Sequence, residues 1–144
     1  MKMEGYRILD LSLFLPGPIL TQILVDHGAD VIKIEPPTGE PVRKVGYVEG
    51  NVTTWFRNTH RGKRSIMLDL KSSDDHAVFL DLCRTADVVI EAFRPGVVDR
   101  LGIGSDAAMA VNPGAVYCSI TAFGQPGPES KRPAHDLSIE ALAG

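Results

Sequence analysis

The sequence lacks the features that mark disulfide-rich, membrane-spanning and nucleic-acid-binding proteins. Its 144 residues include two cysteines, Cys83 and Cys118, which lie far apart in apolar surroundings, and the N-terminus has no apolar signal-peptide segment. This usage predicts reduced, buried thiols with neither a disulfide nor a metal site. No apolar run approaches the length of a membrane span, and a net charge of -3 lacks the basic excess that binds nucleic-acid phosphates. We therefore expect a cytoplasmic globular protein without nucleic-acid or membrane partners.

Two further sequence patterns are missing. No G-x-G-x-x-G follows the first predicted strand, which argues against a nicotinamide-dependent enzyme. No pair of histidines has the spacing of metal ligands, and His27, His60 and His76 have the sequence context of surface or helix-end residues. We expect neither a nicotinamide nor a metal cofactor.

What the sequence does contain is a regular alternation of short apolar runs with segments of helical periodicity. Because strands separated by helices need crossover connections, this alternation predicts an α/β domain with a Rossmann-like, doubly wound, mainly parallel sheet and flanking helices. The predicted strands span residues 7–12, 31–35, 65–70, 88–93 and 115–121. The predicted helices span residues 19–26, 53–58, 72–84 and 105–111, and a last one begins near residue 136.

Two details of these elements are specific enough to test. Residues 16–18 predict a stiff turn before the first helix; equally, Gly17 could let backbone amides approach an anionic ligand at the helix N-terminus. Ser72 with Ser73 offers an N-cap for the third helix. In parallel sheets of this kind, ligands bind beyond the carboxyl ends of the strands. We expect the loops that follow the five strands to share one rim, at residues 13–18, 35–37, 71, 93–96 and 122–128.

The pair His135-Asp136 is the strongest candidate for proton-transfer chemistry. It places an imidazole beside a carboxylate where a glycine-rich loop gives way to an apolar run. The alternative for His135 is a structural hydrogen bond at a helix start, and Asp136 fits a helix N-cap or first-turn carboxylate better than a nucleophile.

Five segments, taken in order, carry a resemblance to a known family. They are residues 15–18 with 28–35, residue 58 with 63–71, residues 87–97 with 100–102, residues 121–125 with 127–128, and residues 132–144. Together they resemble the family III CoA-transferases, also called the CaiB/BaiF family, which includes the α-methylacyl-CoA racemases.

The resemblance implies that coenzyme A is bound as a substrate, without a metal or nicotinamide. It assigns phosphate contacts to Lys71, Arg94 and Arg100, whose side chains suit phosphate as a compact ammonium and two planar guanidinium forks. It assigns the flanks of the adenine to Leu68, Phe93 and Leu101. The alternative is that Lys71 and Arg100 are ordinary solvated residues.

The resemblance also implies a mechanism, which it divides between two activities. In the transferases, an aspartate attacks the acyl-CoA carbonyl to form a mixed anhydride, the CoA thiolate returns to form an enzyme thioester, and the acceptor acid takes over the CoA. In the racemases, the same aspartate faces a histidine, here His135, across the α-carbon of an acyl-CoA. Pro133 and residues 137–140 are closer to the transferases. A transferase is therefore the main hypothesis, with a racemase and a catalytically inert CoA-binding fragment as alternatives.

The family places the aspartate beyond Gly144 and adds a smaller second domain and a C-terminal return segment. Residues 1–144 thus correspond to the N-terminal part of the CoA-binding α/β domain. We expect acyl-CoA and carboxylic acid substrates for the full-length enzyme, and no turnover by this truncated chain alone. The family forms an interlocked homodimer, which is doubtful for the fragment.

Overall fold

A computed structural model describes all 144 residues. Its main sheet consists of β1 (Arg7–Asp10), β2 (Asp30–Glu35), β5 (Arg64–Met67), β6 (Val88–Glu91) and β7 (Val116–Ser119). These strands are parallel and lie in the spatial order β5-β2-β1-β6-β7, which leaves β5 and β7 at the edges. When only these five strands are numbered along the chain, the order is 3-2-1-4-5, so the predicted Rossmann-like architecture is confirmed.

Six helices and one hairpin complete the chain. The helices are α1 (Pro16–Asp26), α2 (Thr54–His60), α3 (Ser73–Cys83), α4 (Val97–Leu101), α5 (Ser105–Val111) and α6 (Asp136–Ala143). An antiparallel hairpin of β3 (Val48–Glu49) and β4 (Val52–Thr53) and a 3-10 turn (Pro41–Arg43) lie between β2 and α2 and were not predicted. These short elements and α4 lack a hydrophobic period long enough to read from sequence.

The central strands β1, β2 and β6 are buried on both faces of the sheet, since successive side chains of a strand point to opposite sides. Leu9 and Val89 face a core that includes Phe79 of α3, while Ile8 and Ile90 face a smaller core on the side of α1. Burial of such side chains contributes about 1.5–3 kcal/mol each. The central strands are thereby fixed, and their carboxyl ends hold the loops that follow them.

Helix α1 begins at Pro16, three residues before the predicted start. The prediction of a stiff turn over residues 16–18 is therefore wrong, because these residues form the first turn of the helix. Proline fits the first helical position because its φ is already helical and no N–H is needed there. A Cβ at Gly17 would lie 2.1 Å from both Cβ and Oγ of Ser12. The helix can therefore approach the end of β1 only because residue 17 has no side chain.

The predicted position of the N-cap of α3 is confirmed, although the serine hydroxyl does not cap the helix. Ser72 occupies the N-cap position, but its side chain makes no capping hydrogen bond. The carboxylate of Asp75, inside the first turn, instead accepts a hydrogen bond of 2.7 Å from the Asp69 N–H. Among the thiols, Cys83 is buried as expected and Cys118 is only half-buried; both are free.

Candidate functional site

A cleft of about 180 Å³ opens at the carboxyl ends of β1, β2, β5 and β6. We call it the apolar cleft, because most of its walls are leucine, isoleucine, proline and phenylalanine side chains. Four of the five loops expected at the rim contribute to it. Its lining comprises Leu11, Leu13, Ile34, Glu35, Pro36, Pro37, Leu68, Asp69, Leu70, Lys71, Phe93 and Leu101.

A second, more open depression of about 380 Å³ adjoins the apolar cleft. We call it the polar cleft, because hydroxyl, imidazole and cationic side chains dominate its walls. The two clefts share Leu70, Lys71 and Leu101. The polar cleft is lined by these three residues with Ser72, Ser73, His76 and Arg100.

Five of the six side chains that the sequence assigns to CoA line these two clefts. Leu68, Lys71, Phe93 and Leu101 line the apolar cleft, and Arg100 lines the polar cleft. Arg94 is exposed after β6 and lines neither cleft. Its contact with a ligand stays a prediction.

The short helix α4 carries Arg100 to the polar cleft, and glycines with left-handed backbone flank it on both sides. Gly96 has φ 83° and Gly102 has φ 66°, conformations that glycine adopts without strain. A Cβ at residue 96 would lie 3.7 Å from Nη1 of Arg100. Nε2 of His76 lies 2.9 Å from the Gly102 carbonyl oxygen, so α3 supports the far end of this helix.

His135 and Asp136 lie apart from both clefts, exposed at the start of α6. His135 is the N-cap residue of that helix, and its side chain makes no capping hydrogen bond. Asp136 is a first-turn carboxylate, which is one of the two structural positions expected for it. The role of either residue in proton transfer stays a prediction.

Below the clefts lies a buried charge network that the sequence analysis missed. The Lys63 ammonium lies 3.2 Å from Oδ2 of Asp10, and the Lys33 ammonium lies 3.6 Å from Oδ1 of Asp10 and 3.3 Å from Oε2 of Glu40. Lys33 also donates to the carbonyl oxygen of Ser12. Charged residues at inward positions of two apolar runs, RILD and VIKIE, were the available signal.

The contacts of this network serve the fold, and they shift the pKa values of Asp10 and Lys63 in particular. Burial raises the pKa of Asp10, but Lys33, Lys63 and two hydroxyl hydrogen bonds outweigh it and leave the pKa below its ordinary value. Burial lowers the pKa of Lys63 against the opposing effect of Asp10. Because the charges of such a network are already paired within the protein, they are not free to bind a ligand. Their role is to hold the loops in position.

Glu35 lines the apolar cleft, yet its carboxylate is fully engaged by the protein. Arg43 donates to both of its oxygens at 2.7 Å, and the Ser65 hydroxyl donates at 2.5 Å. Against the cost of burial, these bonds lower the pKa of Glu35 to about 2. Glu35 is therefore an anion near pH 7 that fixes the rim and is unsuited to act as a base.

His60 differs from the expected surface residue, since it is buried at the last position of α2. Its ring stacks on Phe56 with 4.4 Å between centroids, and the Arg43 guanidinium lies 3.8 Å above the other ring. Burial, together with the charges of Lys63 and Lys33, lowers the pKa of His60 to about 4. The imidazole is thus neutral near pH 7 and packs as an aromatic side chain.

No group of three or more histidine, cysteine, aspartate or glutamate side chains is arranged to hold a metal ion. None of the helices is both long enough and apolar enough to span a membrane.

The model of CoA-transferase family III matches residues 3–144. The chain belongs to this family. The resemblance seen in the sequence is therefore confirmed, and the rim clefts can be compared with those of other family III chains.

Curated relatives match nearly the whole chain. The acetyl-CoA:oxalate CoA-transferase of Acetobacter aceti is 44% identical over 142 residues, which are 98% of this chain and 36% of the relative. The probable fatty acyl-CoA transferase Rv3272 of Mycobacterium tuberculosis is 42% identical over 99% of this chain and 37% of its own length. The chain thus spans little more than a third of each curated relative.

A solved family III structure has the same fold. A CAIB/BAIF family protein from Brucella suis superposes with a TM-score of 0.92 and 38% identity. The superposition covers 99% of this chain and 39% of that protein. Residues 1–144 therefore adopt the fold found in one part of a longer family member.

Proposed function

We propose that this chain is the N-terminal part of the CoA-binding domain of a cytoplasmic CoA-transferase, and that it holds coenzyme A at the carboxyl edge of its sheet. The enzyme moves CoA between an acyl-CoA thioester and a carboxylic acid. One observation carries the proposal: an apolar cleft and a cationic polar cleft adjoin each other and share Lys71 and Leu101.

The apolar cleft suits the adenine ring of CoA. Leu68, Phe93 and Leu101 come from three separate segments and offer flat apolar surface at one opening. An aromatic base gains from such burial on both faces, and the polar edge of the ring remains free to reach backbone groups.

The polar cleft suits the phosphates that CoA carries beside its adenine. Lys71 lies where the two clefts meet, and Arg100 lies farther along the polar cleft. An ammonium and a guanidinium along one depression suit an anion with several phosphate oxygens better than a single carboxylate. Arg94 follows β6 at the same edge of the sheet, and we retain it as a third phosphate contact.

The chemistry divides between this segment and the rest of a full-length enzyme. A family aspartate, assigned to a position after Gly144, attacks the thioester carbonyl and releases the CoA thiolate, which leaves an acyl–aspartyl anhydride. The thiolate then attacks the aspartyl carbonyl of the anhydride, which forms an enzyme thioester and releases the donor acid as a carboxylate. The acceptor carboxylate attacks that thioester and releases the CoA thiolate, which leaves a second anhydride. Attack of the thiolate on the acyl carbonyl of this anhydride gives the product acyl-CoA and the free aspartate. Residues 1–144 bind and orient CoA, and alone they produce no turnover. The full-length enzyme acts as an interlocked homodimer.

Calorimetry on the 144-residue chain tests the binding step. We expect CoA to bind with a Kd in the micromolar range and pantetheine, which has no nucleotide, to produce no binding heat. Arg100→Met should weaken CoA binding by about tenfold, the size of one charge-assisted hydrogen bond.

Arg84→Met is the matched control, because Arg84 is an exposed arginine paired with Asp81 at the end of α3. It should leave CoA affinity unchanged. Absence of CoA binding by the unmodified chain, or equal weakening by both arginine variants, contradicts the proposal.

A racemase is the second candidate, favoured by the exposed imidazole of His135 next to Asp136. The two activities separate in a full-length enzyme that carries this segment. Transfer of labelled CoA to a free acid marks the transferase, whereas deuterium uptake at the α-carbon that is lost in His135→Gln marks the racemase.

A further inference from the structure

The loop after β1 contains an unusual backbone conformation. Phe14 is the one non-glycine residue with a positive φ, at 64°. Side-chain-bearing residues rarely adopt this region, so the surrounding structure must hold it. The Phe14 ring is itself 48% exposed and cannot supply that hold through packing.

The buried carboxylate of Glu40 holds the backbone of Phe14 in this conformation. The Phe14 N–H donates to Oε1 of Glu40 over 2.9 Å, and Glu40 is fully buried. Oε2 of Glu40 faces the Lys33 ammonium at 3.3 Å, and both side chains are inaccessible to solvent. The backbone N–H of Glu40 donates to Oε2 of Glu35 over 2.9 Å.

These contacts connect two walls of the apolar cleft. Leu13, the neighbour of Phe14, lines the wall formed by the loop after β1. Pro36 and Pro37 line the wall formed by the loop after β2, and Glu40 closes that same loop. Glu40 itself lines neither cleft, so it acts on a ligand only through the two loops.

We propose that Glu40 is a positioning residue that locks the loops after β1 and β2 together and thereby sets the shape of the apolar cleft for the nucleotide of CoA. This inference rests on the proposed function for the identity of the ligand. Lys33 neutralises Glu40, which lets a carboxylate remain buried while it accepts from the backbone of Phe14.

The test follows two readouts in the 144-residue chain: the Kd for CoA and the hydrogen-exchange protection of the Phe14 amide. Glu40→Ala should remove that protection and weaken CoA binding by about tenfold. Glu40→Gln is the milder variant, because its carboxamide can turn its oxygen to either Phe14 or Lys33. Across both variants, protection and affinity should fall together or be retained together.

Asn112→Ala is the control for a merely structural loss. Asn112 donates to the carbonyl oxygens of Cys83 and Ala86, at the end of the sheet opposite the clefts. This variant should lower the unfolding temperature while leaving the Phe14 amide protected and the CoA affinity unchanged.

Three results would overturn the role of Glu40. They are loss of Phe14 protection without loss of affinity, loss of affinity without loss of protection, and an equal loss of affinity in Asn112→Ala. If the unmodified chain binds no CoA, the proposed function fails. The exchange of the Phe14 amide in Glu40→Gln and Glu40→Ala then decides the locking contact alone, and unchanged protection in both variants contradicts it.

Discussion

Lys63 and Asp10, which are 53 residues apart in sequence, form a buried ion pair with 3.2 Å between nitrogen and oxygen. The same ammonium donates to the Thr21 hydroxyl at 2.7 Å and to the Pro18 carbonyl at 2.9 Å. One cation therefore joins the segment before β5, the end of β1 and the first turns of α1. These contacts of Lys63 fix the segments from which the cleft loops extend.

Replacing that cation should be costly. Lys63→Met retains most of the side-chain volume but removes a partner of buried Asp10, so we expect the free energy of unfolding to fall by about 3 kcal/mol. Urea denaturation followed by circular dichroism measures this change. The neighbouring Arg64→Met is the control: Arg64 pairs with Asp30 at the surface, and its loss should cost less than about 1 kcal/mol. Equal losses in the two variants would refute a special role for the buried pair.

The close approach of α1 to β1 predicts a large effect of a single methyl group. Gly17→Ala should lower the free energy of unfolding by about 2 kcal/mol, because its Cβ would overlap Ser12. Gly114→Ala provides a matched comparison, since its Cβ would meet nothing nearer than Oδ1 of Asn112 at 3.5 Å. That variant should change the stability by no more than about 0.5 kcal/mol. A Gly17→Ala protein as stable as Gly114→Ala would contradict the described contact.

His60 predicts a pH dependence of stability in mildly acidic solution. The unfolded chain protonates this histidine near pH 6.5, whereas in the folded chain its pKa is about 4. The unfolded state therefore binds more protons, and the free energy of unfolding should fall by up to about 3 kcal/mol as pH decreases across this interval. His60→Phe, which preserves the stack on Phe56, should flatten the profile measured by urea unfolding at successive pH values. His27→Gln changes an exposed histidine and should leave the profile unchanged. If His60→Phe also leaves the pH dependence of the free energy of unfolding unchanged, another group is responsible.

Glu35 predicts a second decline at lower pH. Its pKa falls from 4.5 to about 2 on folding, so the stability that it contributes above pH 4.5 is lost as pH decreases toward 2. Glu35→Gln should reduce the slope in this interval, and Asp10, whose pKa is also lowered, should retain part of it. Acid unfolding monitored by fluorescence measures the effect. Glu129→Gln, at an exposed carboxylate, is the control, and a slope identical in both variants counts against the assignment.

The architecture could be predicted from the sequence because short apolar runs alternate with segments of helical periodicity. Burial on both faces makes a parallel strand such as residues 31–35 nearly continuous in apolar character, and this pattern identified the sheet. The start of α1 was misplaced, since Pro16-Gly17-Pro18 is typical of a turn when the contact of Gly17 with Ser12 is unknown. Short elements such as α4 depend on tertiary contacts and leave no periodic signal.

Only part of the candidate site could be predicted from the sequence. The family resemblance supplied Leu68, Lys71 and Arg100, and the structure places them at adjoining clefts. It could not supply Glu40 or Lys33, because a lysine in a strand and a glutamate in a loop are ordinarily solvent-exposed. Only the folded chain shows that these two charges face each other inside the protein.

The apolar cleft is assembled from loops that leave four different strands, while the strands themselves contribute mostly to the core beneath. Substitutions at exposed lining positions of the loop after β5, such as Asp69 and Lys71, can therefore change which ligands the opening accepts without disturbing the scaffold. Evolution, or a protein engineer, can diversify ligand preference one loop at a time. The loops after β1 and β2 are the exception, and they should change as a pair.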